Sequence, residues 1–111
     1  MARILVVDDE ANIREVIQYA LVKDGHTVEI AENGDAAWAR LQTPGIDLLV
    51  LDVVMPGLDG VAVYAALRAD PALAAVRVLF VTSDISRVPP GAPALEKPIT
   101  VAKLLAAIRS R

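Results

Sequence analysis

Leu48-Leu49-Val50-Leu51-Asp52-Val53-Val54-Met55-Pro56-Gly57-Leu58-Asp59-Gly60 is the stretch that decides the fold. Four consecutive apolar residues stop on one carboxylate, and the chain turns at once through Met-Pro-Gly. An unbroken apolar run is what a strand buried on both faces requires, as in a parallel sheet covered by helices. Ligands of such sheets gather at the carboxyl ends of the strands. Asp52 therefore stands where chemistry is expected, its charge placed just where the buried strand ends.

Toward the N terminus, Ile4-Leu5-Val6-Val7 reads as a second buried strand, ending in Asp8-Asp9-Glu10. The next segment carries Ile13, Val16, Ile17, Ala20 and Leu21 on one helical stripe, and Gly25 stops it. His26 to Ala31 alternates apolar and polar, as an edge strand does. Asn33-Gly34 opens a second helix with Ala37, Trp38 and Leu41 inward, closed by Pro44-Gly45. Toward the C terminus, Asp59 caps a third helix whose stripe is Val63, Tyr64 and Leu67. Val78 to Val81 is another apolar strand, ending in Thr82-Ser83-Asp84. Ala94-Leu95-Glu96 is a short last strand, stopped by Lys97-Pro98. Thr100 caps a final helix with Val101, Leu104, Leu105 and Ile108 on one face, and the basic Arg109 and Arg111 suit its dipole.

Strands alternating with helices predict an α/β fold, an open, doubly wound parallel sheet with right-handed crossovers. The strand ends Asp8-Asp9, Asp52, Thr82 and Lys97 then share one edge. The length of 111 residues fits a single domain over residues 1–111, and 55% hydrophobic content is enough for a core. The absence of cysteine fits a reducing cytosol, so a cytoplasmic location is expected. A net charge of −3 argues against nucleic acid as a partner of this domain alone. No apolar run approaches the ~20 residues of a membrane span, so no membrane partner is expected.

Three carboxylates at one buried edge repel one another, and some would be forced to hold protons. Lys97 supplies one compensating charge, and a hard divalent cation supplies the other. Mg²⁺ prefers carboxylate oxygens and is usually completed by substrate phosphate. A carboxylate nucleophile beside Mg²⁺ and lysine is equipped for phosphoryl transfer, and a Thr82 hydroxyl can hydrogen-bond a phosphoryl oxygen. The expected product is an aspartyl phosphate on Asp52.

Four motifs, Val7-Asp8-Asp9-Glu10, Leu51 to Gly60, Val81-Thr82-Ser83 and Glu96-Lys97-Pro98, together resemble the receiver domain of two-component response regulators. The resemblance covers essentially the whole chain. It implies a flavodoxin-like, five-stranded sheet of order 2-1-3-4-5. It also implies that Asp52 accepts a phosphoryl group from a sensor histidine kinase or a histidine phosphotransfer protein, and signals to a downstream protein or output domain. Asp9, Asp52 and the Val54 carbonyl would ligate Mg²⁺, with Asp8 holding a metal-bound water. Lys97 would pair with Asp52 and then with its phosphoryl group, and Thr82 would be the switch hydroxyl. Ile13 would be either core or a contact for the phosphodonor. The Lys97-Pro98 bond would be cis, and the protein would not be an enzyme beyond its own phosphorylation and dephosphorylation.

The sequence also leaves the pattern. The family's aromatic residue three positions before the lysine is Ala94 here, and Ser83 replaces the usual small residue after the threonine. Residues 83–93 are too few for the usual fourth helix, and Pro89, Pro90, Gly91 and Pro93 fall among them. Proline removes a donor and clashes with the preceding turn, so at most a single turn is expected over 84–88. A pseudo-receiver, keeping the fold without signalling through phosphate, is therefore the alternative. A flavodoxin-like nucleotide binder would need a glycine-rich loop where Asp8-Asp9-Glu10 stands. An aspartate-based phosphohydrolase would need a second aspartate where Glu10-Ala11 stands.

Overall fold

The computed structural model describes residues 2–110; Met1 and Arg111, the second of the two arginines expected at the end of the final helix, lie outside the described residues. Strands β1 (Arg3–Val7), β2 (Thr27–Ala31), β3 (Leu48–Leu51), β4 (Arg77–Thr82) and β5 (Ala94–Glu96) alternate with helices α1 (Ala11–Lys23), α2 (Gly34–Leu41), α3 (Gly60–Ala69) and α4 (Val101–Arg109). They form one five-stranded sheet of order β2-β1-β3-β4-β5, parallel at every pairing. The fold expected from the sequence is the fold observed. Between β4 and β5 stands only a 3-10 turn, Ile85–Arg87, as the prolines require.

Alternation along the buried strands divides the core into two layers. Leu5, Val7, Leu49, Leu51, Val78 and Phe80 face α2 and α3, where Ala37, Leu41, Val63 and Leu67 meet them. Ile4, Val6, Leu48, Val50, Leu79 and Val81 face α1 and α4, against Ile17, Ala20, Leu21, Leu104 and Ile108. Such two-sided burial explains why β3 reads as a continuous apolar run. Trp38 and Tyr64 pack at the margin of the first layer, and the Tyr64 ring lies 5.4 Å from that of Phe80. Ile13 packs at the margin of the second.

Two stripe residues depart from expectation. Val16 is 58% exposed and Val101 47%, although each continues its helix's apolar spacing. A helix on one side of a sheet buries only the arc toward the strands, and both residues fall beyond it. Val16, Tyr19 and Val22 instead form an outward row on α1. The helix starts follow the sequence: Asn33, Asp59 and Thr100 each accept an amide hydrogen from the residue three ahead, satisfying a first-turn donor.

Candidate functional site

Register brings the acidic and basic residues together. Val7 pairs with Leu51 in the β1–β3 ladder, so Asp8 and Asp52 emerge side by side one residue later. The Asp52 amide still donates to the Val7 carbonyl, at 3.1 Å. Thr82 pairs with Glu96, and the Lys97 amide donates to the Thr82 carbonyl at 2.9 Å. The Lys97-Pro98 peptide is cis. Asp8, Asp52 and Thr82 are the buried polar residues among those described, at 2%, 3% and 0% exposure.

The Lys97 ammonium bridges the two aspartates, donating to Asp8 Oδ2 at 2.7 Å and Asp52 Oδ2 at 3.0 Å. Glu10 Oε1 stands 3.5 Å from the same nitrogen. The second oxygen of each aspartate is held by backbone. Asp8 Oδ1 accepts from the Glu10 amide at 2.9 Å, and Asp52 Oδ1 from the Val54 amide at 3.2 Å. Burial alone would lower the lysine's pKa, but the Asp8 and Asp52 carboxylates outweigh it and hold the ammonium at about 12. Burial pushes the Asp8 carboxyl above its ordinary value, against the lowering pull of Lys97 and the Glu10 amide. One shared cation does not offset the desolvation of a carboxylate that must divide it with a neighbour.

The pairing expected from the sequence, Lys97 with Asp52, is thus shared with Asp8, which lies closer. One carboxylate oxygen from each of Asp8, Asp9 and Glu10 lies within 4.8 Å of the other two. Asp52 stands across Lys97 from Asp8. Three carboxylates of this kind suit a hard, oxygen-preferring cation. Glu10 was absent from the expected set, although a third consecutive acid after β1 is a readable signal. Arg14, whose guanidinium donates to the Asp8 carbonyl at 2.6 Å, carries no such signal.

Thr82 is brought to the edge, but its hydroxyl oxygen accepts from the Asp84 amide at 3.1 Å. The loop after Asp52 is fixed by close backbone approach. A Cβ on Gly60 would lie 2.1 Å from the Asp52 carbonyl oxygen, and one on Gly34 would lie 1.9 Å from that of Leu58. Only glycine lets α3 start against the end of β3 and α2 against the loop that follows it.

Comparison with known proteins is consistent across sequence and structure. The chain is 38% identical to the response regulator MprA of Mycobacterium ulcerans (strain Agy99) over 113 aligned positions, covering 97% of this chain and 49% of MprA. It is 37% identical to the transcriptional regulatory protein ResD of Bacillus subtilis (strain 168) over 86 positions, covering 78% of this chain and 36% of ResD. The chain therefore spans half or less of the length of these curated relatives. Among solved structures, the response regulator TrrA of Thermotoga maritima, crystallised in complex with Mg²⁺-BeF, superposes with a TM-score of 0.87. The two are 30% identical, over 99% of this chain and 98% of TrrA. The response regulator receiver domain profile matches residues 4–109, and the chain belongs to that family.

Proposed function

We propose that this receiver domain accepts a phosphoryl group on Asp52 from a phosphohistidine of a sensor kinase or phosphotransfer protein. The observation that carries the reading is the Lys97 ammonium lying 2.7 and 3.0 Å from two buried carboxylates at one strand edge. Buried charge of this kind is costly in a scaffold that gains nothing from it. In the transfer, an Asp52 carboxylate oxygen attacks phosphorus, the P–N bond breaks with its electron pair going to nitrogen, and the donor imidazole, already protonated on its other ring nitrogen, leaves neutral. The Val54 amide and Lys97 orient Asp52, and Lys97 then neutralises charge on the transferred group. Thr82 supplies a hydroxyl to a phosphoryl oxygen once it releases the Asp84 amide.

The donor chemistry of Asp8, Asp9 and Glu10 fits Mg²⁺, which supplies charge neutralisation for phosphoryl transfer when bound. Asp9, Asp52 and the Val54 carbonyl would ligate it, with Asp8 holding one of its waters. That TrrA was crystallised with Mg²⁺-BeF supports this assignment. The domain signals to a downstream protein or output domain and performs no chemistry beyond its own phosphorylation and dephosphorylation.

Ala94 and the single turn at 85–87 favour a second reading, a receiver-like interaction module that does not use phosphate. One experiment separates the two. Intact mass after treatment with a small phosphodonor and Mg²⁺ should rise by one phosphoryl group, and not rise in Asp52→Asn. Label persisting in the variant overturns the acceptor assignment, and no label in either protein favours the module.

A further inference from the structure

Asp59 uses both carboxylate oxygens, and the two belong to different elements. Oδ1 accepts from the Ala62 amide at 2.9 Å and caps α3. Oδ2 accepts from the Arg87 guanidinium at 2.9 Å, across 28 residues of sequence. Arg87 ends the 3-10 turn in the crossover from β4 to β5. Asp59 closes the loop that starts at Asp52, and that loop is anchored by Gly60 donating to the Val53 carbonyl at 3.0 Å. The first part of the crossover hangs on Thr82. The Asp84 amide donates to the threonine hydroxyl oxygen, and Asp84 Oδ1 in turn accepts from Ser86 at 2.5 Å. Beyond Arg87, Val88 and Ala92 pack on the core beside Ala94. Their amides close turns onto the Ile85 and Pro89 carbonyls.

From this arrangement we infer that Arg87 and Asp59 form a clasp, positioning residues that divide the crossover into a movable part, 83–86, and a held part, 88–93. The trigger rests on the phosphoryl reading above. A phosphoryl oxygen that draws the Thr82 hydroxyl takes away the acceptor of the Asp84 amide, freeing residues 83–86. The clasp stops that release from spreading into Val88 and Ala92, which cover the core where the family carries a helix. It is a weak and reversible restraint by design. Arg87 and Asp59 side chains are 45% and 32% exposed, and exposed ion pairs of this kind contribute little and are screened by salt.

Amide hydrogen exchange on the intact domain tests this, with Mg²⁺ and beryllofluoride as the phosphoryl analogue and fluorine NMR as the check that it binds. In the wild type, the analogue should accelerate the Asp84 amide and leave Ala92, whose acceptor Pro89 lies inside the held part, unchanged. In Arg87→Ala without analogue, Val88 and Ala92 should exchange about two- to fivefold faster, and faster still once it binds. Arg87→Lys should restore most of the protection. Raising salt should move the wild type toward the alanine variant and leave that variant unmoved, a response that lost packing alone would not produce. Unchanged Val88 and Ala92 rates in Arg87→Ala overturn the clasp. A bound analogue with no change at Asp84 overturns the trigger. Absence of a bound fluorine signal in the wild type overturns the phosphoryl reading and its trigger, and the clasp then stands or falls on the analogue-free rates.

Discussion

Lys97 is one cation serving two buried carboxylates, and pH is the direct way to see it. Its raised pKa means the native state holds this proton more tightly than the unfolded chain does. The stability it contributes is complete below its ordinary value of 10.5 and is lost as pH rises through about 12. Asp8 works in the same sense, at the acid end of the scale. Its raised carboxyl favours the native state only while protonated, a contribution lost as pH climbs above 3.8. Lys97→Met should therefore cost about 3–5 kcal/mol near neutral pH, because it strands Asp8 and Asp52 without their cation. Chemical denaturation across pH should show the loss shrinking in acid, and the alkaline slope of the wild type should be missing. Asp8→Asn should gain stability over the wild type on going from acid to neutral pH. The sequence showed these residues but not their sharing. Lys97 lies 45 residues from Asp52 and 89 from Asp8, and only register and side-chain reach decide which carboxylate it meets.

Elements were legible where a periodicity is complete and a cap is present. β1, β3 and β4 are apolar on both sides and needed no arbitration. Val16 and Val101 were misplaced because a helical stripe has no marked border in sequence, and its width depends on how the helix lies on the sheet. The crossover after β4 was readable by exclusion, since proline forbids a helix, but not in its restraints. Nothing local tells that Arg87 reaches Asp59. Gly34 opens a helix in the sequence pattern and Gly60 follows the cap Asp59, whereas the stronger constraint on each is the carbonyl it touches. Gly60→Ala should cost about 3 kcal/mol, at the upper end of overpacking, because its Cβ would meet backbone at 2.1 Å. Gly91→Ala, with φ +83 and open space around it, should cost only the left-handed strain of about 1–2 kcal/mol. Denaturant midpoints of the two variants compare them directly, and equal losses would remove the close approach as an explanation.

At the scale of the whole molecule, the acidic edge is a local concentration of negative charge in a domain already at net −3. A cation that binds there only in the native state stabilises the fold by mass action. Mg²⁺ at ten times its dissociation constant is worth about 1.4 kcal/mol. For a domain of this size that corresponds to about 4 °C or more in Tm. Calorimetry should show this rise in the wild type and lose most of it in Asp9→Asn. An unchanged Tm in the wild type at millimolar Mg²⁺ would count against the proposed metal set.

The strand order has a consequence for the chain as it is made. β1 first meets β2; β3 then adds on the free side of β1, β4 on β3, and β5 on β4. Every new strand joins an edge already present, so the sheet can grow in the direction of translation without reopening a pairing. Asp8 and Asp52 are in place once β3 has docked, while Lys97 leaves the ribosome 45 residues after Asp52. A sheet of β1, β2 and β3 alone would hold the paired acids with no lysine between them, and β5 is the strand that makes the site electrically whole.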